Sequence, residues 1–400
     1  MRIAFITPEY TTEETYSGGL ANYLGRISTA LASRGHDINV FTKSYVANEQ
    51  IDHHGVCVHR VIPLWDRKLR VDKVDRFAPR SLYAPYQDMK AAWSLWRRWK
   101  TSHDQQSYDV VQVANVLAVG WFFNWARGVP VTTRLSSYRP AWDSAFGVEM
   151  NLSVRARWWL ERKAIQRSKH LYAPSQFVAD LTEQNYHVPP VRVIESPFHQ
   201  EVPIDDDSGI DPRFGNNEYV LFFGRQTQMK GVHLLAQALS RLMSDNPKMH
   251  AVFVGRTGQS PTGGCMQEYI QSLLASFDDR LHILDSLRHA ELYPIVRNAK
   301  VVALPSLIDN LPNTCLEAMG LGRVVVATSG TCFEQLIEDG KSGILCKPND
   351  VDDLEAAIMR AWVLDDQERA AISSNASKRI QKLHPDHKIP ELLDYFAEIS

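Results

Sequence analysis

The chain is poor in the features that mark secreted, metal-stapled or membrane-spanning proteins. Its five cysteines (Cys57, Cys265, Cys315, Cys332, Cys346) are scattered and form no C-x-x-C pair, which argues against structural zinc and against a disulfide framework. Among the histidines only His53 and His54 are adjacent, and no H-E-x-x-H accompanies them, so no metal site is expected. Excess charge of one sign is also missing. Forty-four Lys and Arg against 46 Asp and Glu leave a formal charge of −2, which does not suit a dedicated nucleic-acid binder. No apolar run nears the ~18 residues of a membrane span; the longest, Val116–Phe123, has eight. The opening Met1–Pro8 has one basic residue and a short apolar run before Glu9. It reads as a first strand, not a signal peptide, and the chain reads as cytosolic.

What is present is an ordinary globular composition, 44% hydrophobic and 22% charged, over 400 residues. That length exceeds the roughly 250–300 residues of a single core, so two domains are expected. β-rich runs at Arg2–Thr7, Asp37–Thr42, Asp109–Val113 and Val129–Thr133 alternate with amphipathic stretches. The rhythm restarts at Tyr219–Phe223, His250–Val254, Leu281–Leu284, Val301–Leu304 and Val324–Ala327. Buried β-branched runs joined by helices give parallel sheets covered on both faces. The expected fold class is therefore α/β with two doubly wound, Rossmann-like domains, over 1–198 and 218–385. Ser196–Asn217, with Pro197, Pro203, Asp205-Asp206-Asp207, Gly209, Pro212 and Gly215, reads as the linker. Asp350-Val351-Asp352 reads as the cap of a helix over Leu354–Trp362. A tail helix over about 386–400, after His384-Pro385, is expected to pack back on the first domain.

Open parallel sheets bind ligands at the C-terminal ends of their strands. A dinucleotide fold would place G-x-G-x-x-G after the first strand and an acid after the second. Here the first loop ends in Ser17-Gly18-Gly19 and the second strand in Thr42-Lys43, so a nicotinamide oxidoreductase is set aside. Two glycines before a helix let backbone N–H groups face an anion, although a tight turn without ligand has the same signature. After Tyr219–Phe223 comes Gly224-Arg225, then Lys230-Gly231. This is no P-loop, but it puts two cations at a strand end near a helix start, suited to a diphosphate leaving group. A third cluster runs Asp309-Asn310-Leu311-Pro312-Asn313-Thr314 to Glu317. It offers two carboxylates and the N–H groups of a helix start, or simply a capped helix.

Taken in order, these motifs resemble the retaining glycosyltransferases of family 4, which have the two-domain GT-B fold. The match runs through Ser17-Gly18-Gly19, Leu31–Asp37, Tyr172-Ala173-Pro174-Ser175, Gly224-Arg225, Lys230-Gly231, Val254-Gly255, Pro305–Met319, Gly322, Glu334 and Gly340–Gly343. The resemblance implies a first domain for the acceptor and a second for the nucleotide sugar. It implies that Arg225 and Lys230 neutralise the leaving diphosphate without a metal or other cofactor. It further implies that the amides of Asn313 and Thr314 hold the distal phosphate and that Glu317 holds the ribose. Asp309, with Asn310 and Leu311 beside it, stands where the family's first glutamate meets the transferred sugar. Ser286 and Leu287 match the stretch that touches the base, and Gly18 and Gly19 approach the phosphate and sugar.

The sequence departs from the family's pattern in two places, the first bearing on the donor hydroxyls and the second on the acceptor. Asp309 is one methylene shorter than the family's glutamate. The loop where many members carry a histidine reads Arg134-Leu135-Ser136-Ser137-Tyr138, which makes Arg134, Ser136 and Tyr138 the acceptor candidates. The family's account of retention is front-face attack, with the departing phosphate taking the acceptor proton; no nucleophile pair like that of retaining hydrolases is apparent. GDP-mannose and UDP-glucose are the favoured donors. The acceptor is expected to be a sugar, polysaccharide precursor or glycolipid. Alternatives are a GT-B epimerase or phosphorylase, or a non-catalytic GT-B chain that binds sugar nucleotides or partners. Arg60–Lys100 holds eleven Lys and Arg against four Asp and Glu, with Trp65, Trp93, Trp96 and Trp99 among them. That mixture reads as a helix packed through its tryptophans with a solvated basic side, ahead of peripheral contact with the inner face of a membrane.

Overall fold

A computed structural model describes residues 1–13, 18–63, 80–199, 214 and 217–400. They divide into two compact units, Met1–Ala141 with Val148–Pro197 and Pro385–Ser400, and Trp142–Gly147 with Phe198–His384. Most of the expected linker, Asp205-Asp206-Asp207 included, lies outside the described residues, as do Ser17 and Trp65.

The first unit is built on β1 (Arg2–Thr7), β2 (Asp37–Lys43), β3 (Glu49–His53), β4 (Val56–Val61), β5 (Val110–Ala114), β6 (Val131–Arg134), β7 (His170–Ala173) and β8 (Arg192–Val193). Among the described residues they form one sheet in the order β3-β4-β2-β1-β5-β6-β7-β8. Ile3 stands opposite Ile38 on one side and Val110 on the other. Such unbroken apolar runs belong to strands covered on both faces. Only β3 runs antiparallel to its neighbour, β4. The turn between them puts His54 at φ 54° and Gly55 at φ 78°, a left-handed pair that closes a two-residue hairpin. The His53-His54 pair thus belongs to an edge hairpin. Helix Gly19–Ala32 buries Ala21, Leu24, Ile27 and Leu31, a helical stripe. Helix Pro385–Ile399 buries Ile389, Leu392 and Phe396 in the cluster that holds Ile3 and Phe5, each burial contributing about 1.5–3 kcal/mol. Its Tyr395 hydroxyl bonds the Thr132 hydroxyl at 2.8 Å, and Lys388 pairs with Glu195 at 3.2 Å.

The second unit carries β9 (Tyr219–Phe223), β10 (His250–Val254), β11 (Leu281–Leu284), β12 (Val301–Leu304), β13 (Val325–Thr328) and β14 (Ile344–Cys346), in the order β11-β10-β9-β12-β13-β14. Every pairing is parallel. From β9 the chain winds one way through β10 and β11, then returns to the other side of β9 for β12. The loops after β9 and β12 therefore meet at the point where the winding reverses, where open α/β sheets hold their ligands. Asp350 caps helix Val351–Trp362, its carboxylate accepting the Asp353 amide at 3.0 Å.

Candidate active site

Backbone geometry fixes the reversal point of the second unit before any side chain acts. Gly224 ends β9 at φ +127° and Gly255 ends β10 at φ +135°. A Cβ on Gly255 would lie 2.0 Å from the Gly224 carbonyl oxygen, so the two strand ends touch only because residue 255 has no side chain. Gly231, at φ +67°, backs onto the loop after β12 so closely that a Cβ would lie 1.9 Å from the Pro305 carbonyl oxygen. The Leu307 amide donates to the Met229 carbonyl at 2.8 Å and ties the two loops together. Gln226 is buried and binds the neighbouring loop twice, its amide to the Arg256 carbonyl at 2.8 Å and its side chain to the Gly255 carbonyl at 3.0 Å.

This scaffold brings Lys230 onto Asp309: the ammonium donates to Oδ2, while Oδ1 accepts the Asn310 amide at 3.0 Å. Arg225 stands exposed one residue beyond Gly224. Helix Asn313–Gly320 begins beside them, since a Cβ on Gly224 would sit 3.4 Å from the Thr314 methyl. Pro312 precedes that helix and offers no side-chain cap, while its carbonyl accepts the Cys315 amide at 3.1 Å. Two thiols are buried in the same unit: burial, helped by the Asp309 carboxylate, pushes Cys315 and Cys332 up. Both stay protonated and are not nucleophiles. Among the described residues no three His, Cys, Asp or Glu side chains gather as a metal site.

Glu317 is buried on the same helix, with His289 Nε2 3.8 Å from its Oε1. His289 opens helix His289–Asn298, directly after the Ser286-Leu287 segment, so the β11 loop reaches Glu317 through it. Sequence reasoning missed His289, and no spacing signals it. Arg256 was missed as well, although Val254-Gly255-Arg256 repeats Phe223-Gly224-Arg225 one strand over; it is exposed like Arg225.

In the first unit Gly18 is the N-cap of helix Gly19–Ala32, and a Cβ there would lie 2.9 Å from Glu9 Oε1. Glu9 was not singled out from the sequence. Arg134 is only 4% exposed. Its guanidinium donates to the Ser136 hydroxyl at 2.8 Å and the Ser196 hydroxyl at 2.9 Å, and lies 3.6 Å over the Tyr23 ring. Asn115 organises the same loop: Oδ1 accepts the Ser136 amide at 2.7 Å and Nδ2 donates to the Ser137 carbonyl at 2.8 Å. Tyr138 stands apart, its ring 5.1 Å from that of Tyr186, and burial pushes its hydroxyl up. Of the three acceptor candidates, Arg134 and Ser136 are joined and Tyr138 is not.

Two family descriptions divide the chain as its sheets do: "Glycosyl transferase 4-like domain" matches residues 18–197 and "Glycosyl transferases group 1" matches residues 204–379. The chain belongs to the glycosyl transferases of group 1. This glycosyltransferase is 25% identical over 356 residues to D-inositol 3-phosphate glycosyltransferase of Geodermatophilus obscurus, a match spanning 86% of the chain and 77% of the relative. It is 29% identical over 173 residues to phosphatidyl-myo-inositol mannosyltransferase of Mycolicibacterium smegmatis, spanning 43% of the chain and 42% of the relative. Among solved structures, sucrose-phosphate synthase of Thermosynechococcus elongatus superposes with a TM-score of 0.78 at 17% identity, over 100% of this chain and 99% of that one. HepE of Anabaena, solved with UDP and glucose, superposes with a TM-score of 0.71 at 19% identity over 100% of both chains. The two doubly wound units are those of the GT-B fold.

Proposed function

We propose that this glycosyltransferase moves a hexosyl group, with retention, from a nucleoside diphosphate sugar to a sugar, polysaccharide-precursor or glycolipid acceptor. The observation that carries the reading is the cluster at the reversal point of the second unit. There the Lys230 ammonium is held on Asp309, with Arg225 and the start of helix Asn313–Gly320 alongside. As the bond between the anomeric carbon and the phosphate oxygen breaks, negative charge grows on the leaving diphosphate. Lys230 and Arg225 stabilise that charge, and the amides of Asn313 and Thr314 bind the distal phosphate. The neutralisation a divalent cation would supply thus comes from side chains. Asp309 uses one lone pair on Lys230 and one on the Asn310 amide, and a carboxylate with about four such sites retains capacity for the donor's hydroxyls. Glu317 binds the ribose diol, and Ser286 and Leu287 border the base. The acceptor oxygen bonds to the anomeric carbon on the face the phosphate leaves, and its proton passes to the departing phosphate oxygen. Mannosyl transfer by one relative and UDP with glucose on HepE support GDP-mannose and UDP-glucose as donors. Inositol phosphate relatives support a polyol or glycolipid acceptor.

Hydrogen bonds to charged groups are worth about 1.5–3 kcal/mol, so Lys230→Ala is expected to lower turnover at least roughly 10–100-fold at saturating donor. Release of nucleoside diphosphate in EDTA measures it, and Lys230→Arg should recover part of the loss. Wild-type turnover in Lys230→Ala would overturn the assignment, and full dependence on added metal would overturn the electrostatics.

A further inference from the structure

One face of the first unit carries rings that stand partly open to water and have no place in the transfer chemistry. Trp99, one of the tryptophans of the basic stretch, is buried against Phe123. Trp93 instead stands at the surface of helix Tyr83–Gln105 and stacks on Trp96 at 4.9 Å between centroids, and Trp96 is half-buried against the core. The segment after β5 adds two more rings, Phe122 5.0 Å from Trp93 and Trp125 5.6 Å from Phe122. Trp93 is 38% exposed and Trp125 60%. A continuous four-ring patch left half open to water is unusual for a surface with no partner.

The charge around the patch has one sign. Arg97, one helical turn from Trp93, and Arg127, two residues beyond Trp125, are both exposed. No Asp or Glu occurs anywhere in 110–142. Of the two acids on helix Tyr83–Gln105, Asp88 is buried and paired with Arg157 at 2.6 Å, and Asp104 pairs with Lys100. Arg157 brings in the adjacent helix Leu152–Gln166, whose one acid, Glu161, is buried on Arg139 at 2.7 Å. In a chain of net charge −2, the acids of these two helices are taken up in ion pairs, which leaves Arg97 and Arg127 as the exposed charges beside the rings.

We infer that this face docks on an anionic bilayer surface, with Trp93, Trp96, Phe122 and Trp125 at headgroup depth and Arg97 and Arg127 on lipid phosphates. Tryptophan rings favour the membrane interface, and cations beside them draw the face to negative lipid. Each such cation near an anionic leaflet is worth roughly fivefold in partition. The patch lies partly within the Trp-rich stretch expected from the sequence and extends beyond it, to residues 122–127. The inference does not rest on the donor reading.

Flotation of the full chain with vesicles of phosphatidylcholine alone, or with 30% phosphatidylglycerol, tests it. Wild-type chain should float with the anionic vesicles and not the neutral ones, with release at high salt and a blue shift of tryptophan emission on binding. Arg97→Ala with Arg127→Ala should weaken partition by roughly 25-fold, and Trp125→Ala should remove much of the blue shift. Failure to float with anionic vesicles, equal floating of these variants, or displacement by a soluble acidic polysaccharide as effective as by vesicles would overturn it. Circular dichroism confirms that each variant is folded. Calorimetry with nucleotide sugars on the same samples reads the donor reaction separately, so failure of one reading is not failure of the other.

Discussion

The strand-end loops of the two units are built on opposite principles. In the second unit they are locked by missing side chains: Gly231 and Gly255 let backbone meet backbone at distances that a Cβ would fill. Lys230 and Asp309 then close the contact with charge. In the first unit the loops are held by side chains, with Arg134, Asn115, Ser136 and Ser196 exchanging hydrogen bonds around the Tyr23 ring. Backbone locks tolerate no substitution, whereas a side-chain network can be rebuilt with other residues. The contrast suits the proposed reading, in which the second unit holds the diphosphate of the donor and the first unit faces the acceptor.

The largest effect that tests this contrast is Gly231→Ala. Its left-handed φ costs an L-residue about 1–2 kcal/mol. Displacing the Pro305 carbonyl adds an overpacking cost of about 1–3 kcal/mol. A loss of about 3 kcal/mol should lower the Tm of the second unit by roughly 6–12 °C, measured by calorimetry. A Tm unchanged within a degree would mean that the two loops are not locked through this glycine.

Next in size is an acid response in the first unit. His59 is buried and stacked on Phe41, ring centroids 4.2 Å apart. Burial pulls it down to about 4, helped by the Arg98 and Arg2 charges. Its Nε2 lies 3.1 Å from Asn39 Oδ1, and Nδ1 lies 3.2 Å from an Arg98 nitrogen. The imidazole is thus neutral, donating through Nε2 and accepting at Nδ1. An unfolded histidine titrates near 6.5, so between that value and about 4 the unfolded chain binds a proton that the folded chain does not. Stability is complete above pH 6.5 and falls as the pH drops through this window, by about 2–3 kcal/mol at pH 4.5. Melts at pH 7 and 4.5 should show a fall in Tm that His59→Gln shrinks by several degrees. An equal fall in the variant would remove His59 from the account.

The same contrast explains what could be read from the sequence. The ordered resemblance marked Gly224-Arg225, Lys230-Gly231 and Pro305–Glu317 together, and the structure brings Gly231 against Pro305 and Lys230 onto Asp309. The central strands were legible because burial on both faces leaves unbroken apolar runs. The β3–β4 hairpin left a trace in His54-Gly55 that went unread, and β8 and β14, Arg192–Val193 and Ile344–Cys346, are too short to show a pattern. Arg256 was readable as a repeat of Arg225. Glu9, Asn115 and Ser196 were not, because residues far apart in the chain meet only once the sheet order is known. His289 reaches Glu317 across two elements for the same reason.

The smallest structural effect should come from Gly19→Ala, and it is the most informative about the first unit. Nothing among the described residues lies within 4 Å of a Cβ at Gly19, and the residue opens helix Gly19–Ala32. Alanine forms helix better than glycine by up to about 1 kcal/mol, so the Tm should stay level or rise slightly. Yet Gly19 follows directly after the Gly18 cap, beside Glu9, at the end of β1 where parallel sheets receive ligands. If the empty space is kept for substrate, the added methyl should lower turnover by about tenfold while leaving the fold intact, since small displacements of bound reactants are costly. Unchanged turnover together with unchanged Tm would mean that the glycine serves only the turn. A loss of both would mean that the loop is locked by backbone after all, as in the second unit, and the contrast between the two would fail.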